Sequence, residues 1–550
     1  MRWAHFDVEY PRPIRWIVAL YGKEVIPFLL ADVVADRISF GHRQISPRPI
    51  VIPSPEDYVS LLAKHHVMVD IEERKKRILA GIETIEKADN LSVLALQKLL
   101  PVVLHLVEWP FVLKANFDPA FLKAPQEVLI SEMVEHQKYF PLKGKEGLVA
   151  HFIIVANNEA SDMIRHGNER ALAPRLTDGL FLYEQDLKTP LEQFNEKLKT
   201  LTFHKELGSI FAKVVRLQAF VSLLHHYLPL CPLEKVKRAA LLSKADLVTE
   251  LVKEFPELQG IIGHHYALKG GEEKDIAAAI EEHWMPRGEN AQLPQTPCGL
   301  LLSLAEKIDN LISFFSIGLV PTSSSDPYAL RRQAMGMIKM VIENTLFFPL
   351  QEVLAKAFDE FLKNPELDCQ TKKQIIEKRT HILAEINEFF KNRLKTVFGD
   401  AGFKKDEIES VLTQELKNIM VCQSRIATLH DFREQEHKKF LHILTLYTRC
   451  RKILQTQDPV NSAVNPALLK EEVERELFLK LGTVSSDNFR EAFYSLAELE
   501  PLLTKLFDTV TIVHEDAQLK KNRLSLLQMV KEQCEELIDF SKIQEHSIAY

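Results

Sequence analysis

The first 200 residues alternate short apolar runs with turn signals. Ile14–Leu20 is apolar and partly β-branched, Tyr21–Glu24 is a turn candidate, and Val25–Val34 is apolar again. This pattern predicts a hairpin. His151–Ala156, which reads HFIIVA, predicts a short buried strand ended by two asparagines. The beginning of the chain therefore contains strands.

Helical periodicity lies between and after these strands. Ser54-Pro55 predicts a helix start, and Ile71–Ala88 continues with helical spacing and many charges. Pro190 predicts another start, and Ile210–Tyr227 repeats apolar residues three and four apart. We therefore expect an α+β region followed by long helices.

A later helix is indicated by Ser325-Asp326-Pro327, because an aspartate or serine oxygen caps free amides and proline fits a first turn. The positions expected to share its apolar face are Leu330, Ala334, Met337, Ile338 and Val341. Arg331 and Arg332 would then be exposed.

Breaks in the helical pattern divide the rest of the chain. They fall at Asn364-Pro365, Gly399–Gly402 and Thr456–Pro466. We expect a mainly α, multidomain protein with four parts. These are an α+β region over residues 1–200, a helical domain over 201–345, a helical connector over 346–420 and a C-terminal helical domain over 421–550.

Composition and charge exclude several classes of protein and of binding site. The 550 residues carry a net charge of −7, so a nucleic-acid partner would need local basic surfaces. With 19 glycines, the sequence contains neither a GxGxxG nor a GxxxxGK[ST] phosphate loop. The six cysteines have no close pair, which argues against a zinc ribbon and a disulfide framework. No apolar run approaches the roughly 20 residues that span a bilayer. We expect a cytoplasmic protein.

The stretch AALLSKADLVTEL, residues 239–251, poses a question about metals. In HD-type phosphohydrolases such an apolar helix ends in a His-Asp pair, but here Ala245 precedes Asp246. The residues that could still converge on a metal are His225, Asp246, His264 and Asp309. Because the defining pair is incomplete, we favour ordinary histidines and aspartates at helix ends or on solvated faces. A structural descendant of such a domain, with a degenerate HD-like site containing Asp246 and Asp309 and no metal, is a further interpretation. The alternative is an active metal-dependent HD-type phosphohydrolase.

Two basic clusters suggest RNA. The first lies between residues 425 and 454 and is interleaved with Phe432, Phe440 and Tyr447; its cations are Arg425, Arg433, Lys438, Lys439, Arg449, Arg451 and Lys452. The second, in QLKKNRLSLL, would expose Lys520, Lys521, Asn522 and Arg523. Cations neutralise phosphates and aromatic rings stack on unpaired bases. The alternative is a pair of solvated amphipathic helices.

Six long stretches, spread over the whole chain, together resemble the beta subunit of bacterial heterotetrameric glycyl-tRNA synthetase. They are MRWAHFDVEYPRPIRWIVALYG at 1–22, EVLISEMVEHQKYFPL at 127–142, GNERALAPRLTDGLFLYEQDL at 167–187, KADLVTELVKEFPELQGIIGHHYAL at 244–268, FFSIGLVPTSSSDPYALRRQAMGMIKMVIE at 314–343 and FDTVTIVHEDAQLKKNRLSLL at 507–527.

The resemblance implies a tRNA-binding subunit that positions tRNA(Gly) for a separate or fused alpha subunit. Alpha would use ATP and Mg2+ to attach glycine, and this chain would lack the aminoacylation site and bind no cofactor. An alpha2-beta2 assembly is implied, and the chain is expected to begin inside the subunit. A helical scaffold without RNA affinity remains the third possibility.

The resemblance also names the parts: a B3/B4-like module, an HD-like domain and an anticodon-binding domain of the arginyl type. It places tRNA contacts in the last of these. The residues expected to make them are Arg425, Arg433, Arg449, Arg451, Lys452, Asn522 and Arg523.

Overall fold

A computed structural model describes residues 2, 3, 5–10, 12, 14–288, 291–322, 325–413, 416–459, 462–484 and 488–544. The described chain is rich in helices with a few small sheets, which confirms the mainly α class. It forms two compact units, Met1–Pro190 with Thr249–Ile261, and Leu191–Val248 with Ile262–Tyr550. The finer division into four parts remains a prediction. Across the described residues, no helix combines the length and apolarity that a bilayer-spanning segment needs.

The α-helices of the described residues are numbered in chain order. They are α1 Tyr58–Lys64, α2 Ile71–Asp89, α3 Leu96–Val103, α4 Gln126–Ser131, α5 Asp162–Asp186, α6 Ile210–Tyr227, α7 Leu233–Leu242, α8 Glu250–Glu254, α9 Ile261–Lys269, α10 Lys274–Glu282, α11 Pro297–Ser316, α12 Leu330–Glu343, α13 Leu350–Phe361, α14 Cys369–Glu377, α15 Arg379–Asp400, α16 Lys405–Leu412, α17 Ile419–Gln435, α18 His437–Gln455, α19 Glu472–Leu481, α20 Phe489–Ala497, α21 Glu500–Thr509 and α22 Ala517–Leu537.

The strands are short and are numbered in the same way. They are β1 Ile17–Val18, β2 Leu20–Tyr21, β3 Glu24–Val25, β4 Leu29–Leu30, β5 Val33–Asp36, β6 Ile38–Phe40, β7 Pro49–Val51, β8 Ser92–Val93, β9 Phe111–Asn116, β10 Phe140–Gly144, β11 Gly147–Ala156, β12 Thr202–His204 and β13 Gly208–Ser209.

The predicted hairpin is present but is only two residues long on each side. β2 pairs antiparallel with β3, and Gly22 between them has a φ of +57°. Such a positive φ suits glycine in a two-residue hairpin loop. β1 pairs instead with β5, in parallel. Pairing beyond the turn is therefore set by contacts that the periodicity does not reveal.

A four-stranded antiparallel sheet organises the first unit, in the order β8-β10-β11-β9. The predicted strand HFIIVA is confirmed as the second half of β11. Ile153 lies in the core with Ile78 and Ile82 of α2, whereas Phe152 lies in a second core with Leu172 of α5. Because both faces are covered, apolar residues follow one another without polar alternation.

Helix α11 is the centre of the second unit. Every residue from Cys298 to Ser316 is buried, and α11 packs against α6, α7, α10, α12, α13 and α15. A helix enclosed on all sides has no solvated face, so the charged residues of α11 must find their partners inside the protein.

Several predicted boundaries are confirmed. α6 has the predicted bounds, α2 extends the prediction by one residue, and a 3-10 turn over Pro55–Asp57 leads into α1. The breaks between α13 and α14 and between α15 and α16 are also present. The third break includes residues 460 and 461, which lie outside the described residues.

Two other boundaries differ. Leu191–Thr200 is a 3-10 helix where an α-helix was expected. α12 begins at Leu330, later than expected, after Ala329 with a φ of +55°. Asp326 still caps it, accepting hydrogen bonds from the Leu330 and Arg331 amides at 2.9 and 3.0 Å. The five predicted apolar positions of α12 are buried.

The stretch AALLSKADLVTEL is not one helix, contrary to expectation. α7 ends at Leu242, where the next residue, Ser243, donates its hydroxyl to the Ala240 carbonyl at 2.9 Å. Asp246 lies in a 3-10 turn over Ala245–Val248, and α8 belongs to the other unit. The apolar residues of this stretch are therefore divided between the two units.

The packing of α2 on β9 gives a stability prediction. A Cβ added at Gly81 would lie 2.5 Å from Cγ2 of Val112 and 2.7 Å from its Cβ. Overpacking of this kind costs about 1–3 kcal/mol, which exceeds the gain of about 1 kcal/mol in helix propensity. Gly81→Ala should therefore lower the melting temperature in calorimetry. Gly399→Ala in α15, where a Cβ meets nothing within 4 Å, should leave it equal or higher. Equal changes of melting temperature in the two variants would contradict the close packing of α2 on β9.

Candidate nucleic-acid interface

One face of α18 carries a row of exposed polar residues. The members of this basic stripe are Lys438, His442, Thr445, Arg449 and Lys452, all exposed. Their spacing of four, three, four and three residues places them on one side of a helix. The row extends for about 21 Å at the usual helical rise. The opposite side of α18, including Phe440, Ile443 and Tyr447, is buried.

The charges of the basic stripe are not neutralised within the described residues. Lys438, His442, Arg449 and Lys452 have no carboxylate partner there. Arg449 donates instead to the neutral hydroxyl of Thr504 at 3.0 Å. Since exposed cations without internal partners attract anions, the stripe can bind phosphate groups.

A cleft of about 510 Å³ lies at the end of the stripe. Lys452 and the half-buried Arg451 line it together with Tyr447, Thr448 and Phe540. Arg425 lies elsewhere on the same unit, with its guanidinium carbon 5.4 Å from the centre of the Phe489 ring. Three of the predicted tRNA contacts, Arg449, Arg451 and Lys452, therefore lie close together on α18.

Arg433, Asn522 and Arg523 lie inside the protein, so the expectation that Asn522 and Arg523 face outward is wrong. Arg433 donates to Asp406 and Glu407 at 3.1 and 3.0 Å. These contacts join α17 to α16, which leaves the guanidinium buried and paired.

Asn522 and Arg523 bind neighbouring chain segments. Asn522 accepts from the Asn465 amide at 2.7 Å and donates to its carbonyl at 3.1 Å. Arg523 donates to Glu474 at 2.6 Å and to the Thr511 carbonyl at 2.9 Å. All residues from 522 to 527 are buried. This part of α22 is enclosed, so it does not have the assumed solvated face.

The aromatic residues of the first cluster are also core residues. Phe432, Phe440 and Tyr447 are buried, and the Tyr447 hydroxyl donates to Glu535 at 3.0 Å. Contrary to expectation, Phe432 and Phe440 are too deeply buried to stack on RNA bases, whereas part of Tyr447 lines the cleft beside Arg451 and Lys452. Their periodicity reflected packing of α17 and α18.

The four metal-ligand candidates do not converge. His225 contacts the Cys231 carbonyl at 2.8 Å, Asp246 accepts from the Gly263 amide at 3.1 Å, and His264 lies 3.4 Å from Glu281. Within the described ranges, no group of three or more histidine, cysteine or acidic residues is placed to hold a metal ion. The geometry does not favour an HD-type phosphohydrolase.

Cationic side chains surround Asp309 instead. Its two carboxylate oxygens accept from Lys213 at 2.6 Å and Arg216 at 2.7 Å, both on α6. Burial raises the pKa of Asp309, but the two cations outweigh burial and hold the pKa below its ordinary value. The carboxylate is therefore charged and already paired, which does not fit a metal ligand.

A second buried acid on α11, Glu306, extends this network. Lys213 and Lys244 each lie 3.2 Å from one of its oxygens. Lys244 also lies 2.9 Å from Nε2 of His283, whose Nδ1 contacts the Ile280 carbonyl at 2.6 Å. A carbonyl only accepts, so Nδ1 donates and Nε2 accepts from Lys244. Burial lowers the pKa of Lys244 to about 8.

Sequence reasoning missed Lys213, Lys244, His283 and Glu306 because no spacing links them. The available signal was the presence of charged residues within otherwise apolar helices. We call Lys213, Arg216, Lys244, Glu306 and Asp309 the buried charge network.

Comparisons with known proteins are extensive. The family described as "Glycyl-tRNA synthetase beta subunit" matches residues 1–413. The "Glycine--tRNA ligase beta subunit" of Desulforamulus reducens is 36% identical over 556 residues, covering 99% of this chain and 78% of the relative. The same-named protein of Clostridioides difficile is 36% identical over 557 residues, with the same coverage. The "Glycine--tRNA ligase" of Chlamydia pneumoniae is 38% identical over 537 residues, covering 96% of this chain and 52% of the relative.

The buried position of Arg523 predicts a structural defect. Arg523→Met removes the partner of Glu474, whose side chain is fully buried. Breaking one side of a buried ion pair costs about 3–5 kcal/mol. We expect a clearly lower melting temperature in differential scanning fluorimetry, whereas the exposed neighbour variant Lys521→Met should melt like the unsubstituted protein. Matching melting curves for both variants would contradict the assignment.

The pKa of Lys307 predicts how pH changes stability. Burial lowers this pKa from 10.5 to about 7, so between these values the unfolded chain binds a proton that the folded chain does not. Stability therefore rises with pH in that window. Lys307→Met lacks this titration. Its melting temperature minus that of the unsubstituted protein should be highest below pH 7 and should fall as the pH approaches 10.5. A pH-independent difference would contradict the shift.

Proposed function

The chain belongs to the glycyl-tRNA synthetase beta subunit family, and from this premise we propose that it binds tRNA(Gly) and positions it for glycylation by an alpha subunit. The observation that carries this proposal is the basic stripe on α18. It is a local cationic surface on a protein whose net charge is −7, which is the arrangement that phosphate binding requires of an acidic molecule.

The stripe suits the backbone of an RNA. Its cations Lys438, Arg449 and Lys452 lie along one helix face, so they can contact successive phosphates and set the orientation of the tRNA. The adjoining cleft offers Arg451 and a partly apolar wall at the end of that row. Unpaired bases of an anticodon loop are recognised in surroundings of this kind. We assign the stripe to the phosphates and the cleft to an exposed base of the anticodon arm.

Catalysis is divided between two subunits in this proposal. The alpha subunit uses ATP, Mg2+ and glycine, and this chain contributes no reacting group. It accelerates glycylation by holding the 3′ end of the tRNA in a defined orientation, because positioning removes much of the entropic barrier of a bimolecular step. We propose an alpha2-beta2 assembly when the subunits are separate chains.

Loss of the stripe should weaken RNA binding. In the triple variant Lys438→Ala, Arg449→Ala, Lys452→Ala, the affinity for cognate tRNA should fall and the logarithmic salt slope should decrease in magnitude. Each lost phosphate contact removes about 0.7–0.9 from that slope. Fluorescence anisotropy with labelled transcript over a salt series measures both quantities.

A matched control removes the same number of positive charges from a different surface. Lys373, Lys378 and Lys395 are exposed and lie on or beside α14 and α15. Their triple alanine variant should retain the affinity and slope of the unsubstituted chain. Equal losses in the two variants would show a general charge effect and would contradict the stripe.

Glycylation tests the division of labour. Purified alpha subunit should charge tRNA(Gly) efficiently only when this chain is added, and the stripe variant should raise the tRNA concentration required for half-maximal rate. If the chain binds no tRNA at low salt and adds nothing to alpha, the scaffold alternative is favoured.

A further inference from the structure

A cleft of about 450 Å³ in the first unit is not used by the function proposed above. Its apolar wall includes Val103, Ile154 and Ile164. Three carboxamides line it as well, those of Gln137, Asn158 and Asn168. We call it the amide cleft. A volume of this size is within the usual range for small-ligand sites and accommodates one nucleotide.

Two of these carboxamides, Gln137 and Asn158, have no partner among the described residues. Among the described residues, no hydrogen bond is made by the side chains of Gln137 or Asn158, although both residues are partly buried. A carboxamide presents a donor and an acceptor side by side. That pair complements the edge of a nucleobase, as asparagine and glutamine do when they bind adenine.

The elements that hold these amides are fixed. Gln137 ends a π-helical segment over Glu132–Gln137, and Lys138 follows with a φ of +57°. π-helical turns are frequent at functional sites. Beside Asn158, the side chain of Asn157 accepts from the Glu108 and Trp109 amides at 2.7 and 3.1 Å. The loop is therefore anchored by one asparagine, while the other lines the cleft.

Tyr139 and Asn168 form a polar pair in the same cleft. The Tyr139 hydroxyl donates to Asn168 at 2.6 Å, and Asn168 donates to the Ile164 carbonyl at 2.8 Å. The tyrosine oxygen keeps a lone pair with which it can accept another hydrogen bond. The cleft thus offers donors and acceptors above an apolar floor.

The charge of the cleft favours an anionic ligand. Of the described residues that line it, the one charged residue is Lys138, whose ammonium donates to the Glu135 carbonyl at 2.7 Å and keeps further donors. The base of a nucleotide would contact the apolar wall and the amides, and the phosphate of the same nucleotide would pair with Lys138. A protein segment could also pack on the apolar wall, but it need not carry an anionic group to pair with the Lys138 ammonium.

We propose that the amide cleft binds one unpaired nucleotide of the tRNA, with its base edge hydrogen-bonded to Gln137 and Asn158 and its phosphate at Lys138. This inference rests on the proposed tRNA-binding function and adds a base-binding site in the other unit. The base is held by apolar contact and by amide recognition, as is usual for unpaired nucleotides.

Gly167 on α5 gives a specific test. It lines the cleft, and a Cβ added there meets no atom within 4 Å, so Gly167→Leu fills the cleft without displacing protein atoms next to the backbone. Gly399→Leu is the matched control, because Gly399 is also an exposed helical glycine with open space around its added Cβ. Circular dichroism and thermal melting verify that both variants fold.

The readouts are the dissociation constant for cognate tRNA transcript and the peptides that it crosslinks under ultraviolet light. We expect Gly167→Leu to weaken binding about tenfold, within the range observed for loss of one base contact, and Gly399→Leu to bind normally. Crosslinks should map to the peptides containing residues 137–139 and 158–168 and should disappear in Gly167→Leu. The double variant Gln137→Met, Asn158→Leu keeps the side-chain sizes and should also weaken binding.

Other results overturn the inference in distinguishable ways. If Gly167→Leu binds tRNA as Gly399→Leu does while the stripe variant loses affinity, the amide cleft is not an RNA site and the proposed function stands. If Gly167→Leu weakens binding of purified alpha subunit alone, the cleft docks protein. If the unsubstituted chain binds no tRNA, the proposed function fails as well.

Discussion

The carboxylate of Asp309 can lie at the centre of the helical unit only because Lys213 and Arg216 meet it there. An isolated buried carboxylate would cost several kcal/mol of desolvation or would become protonated. The two cations come from α6 and the acid from α11, so the pairing fixes how these two helices face each other. Since α11 contacts α7, α10, α12, α13 and α15 as well, its orientation determines the arrangement around it.

The same pairing occupies the acidic side chains of this region. Glu306 and Asp309 are acids of the type that bind cations, but ammonium and guanidinium groups from the chain already surround them. Lysine and arginine side chains of the protein supply the positive charge that a metal ion would otherwise supply. The buried charge network therefore contributes to the specificity of helix packing, whereas the basic stripe, with comparable residue types, remains available to an external anion.

The sequence predicted an element well where apolar periodicity alone determines it. It predicted poorly where contacts with other helices decide whether a side chain is buried. Ile210–Tyr227 was correct at both ends because its apolar spacing lies between the capping residue Ser209 and Pro229. Asn522 and Arg523 were misassigned because an enclosed helix and a surface helix can carry the same polar residues. His283 and Lys244 were missed since their contact joins segments that are distant in the sequence. The basic stripe was detectable in principle, because its four-three spacing is visible in the sequence.

The central proposal is that buried cations of this chain hold the fold, whereas the exposed cations of the basic stripe bind tRNA. Lysine acetylation footprinting with and without cognate tRNA, read by mass spectrometry, tests both halves together. The account predicts that Lys438 and Lys452 react in the free chain and are protected by tRNA, while Lys213 and Lys244 remain unreactive throughout. Unchanged reactivity of Lys438 and Lys452 on saturation with tRNA, or ready acetylation of Lys213 in the folded chain, would contradict it.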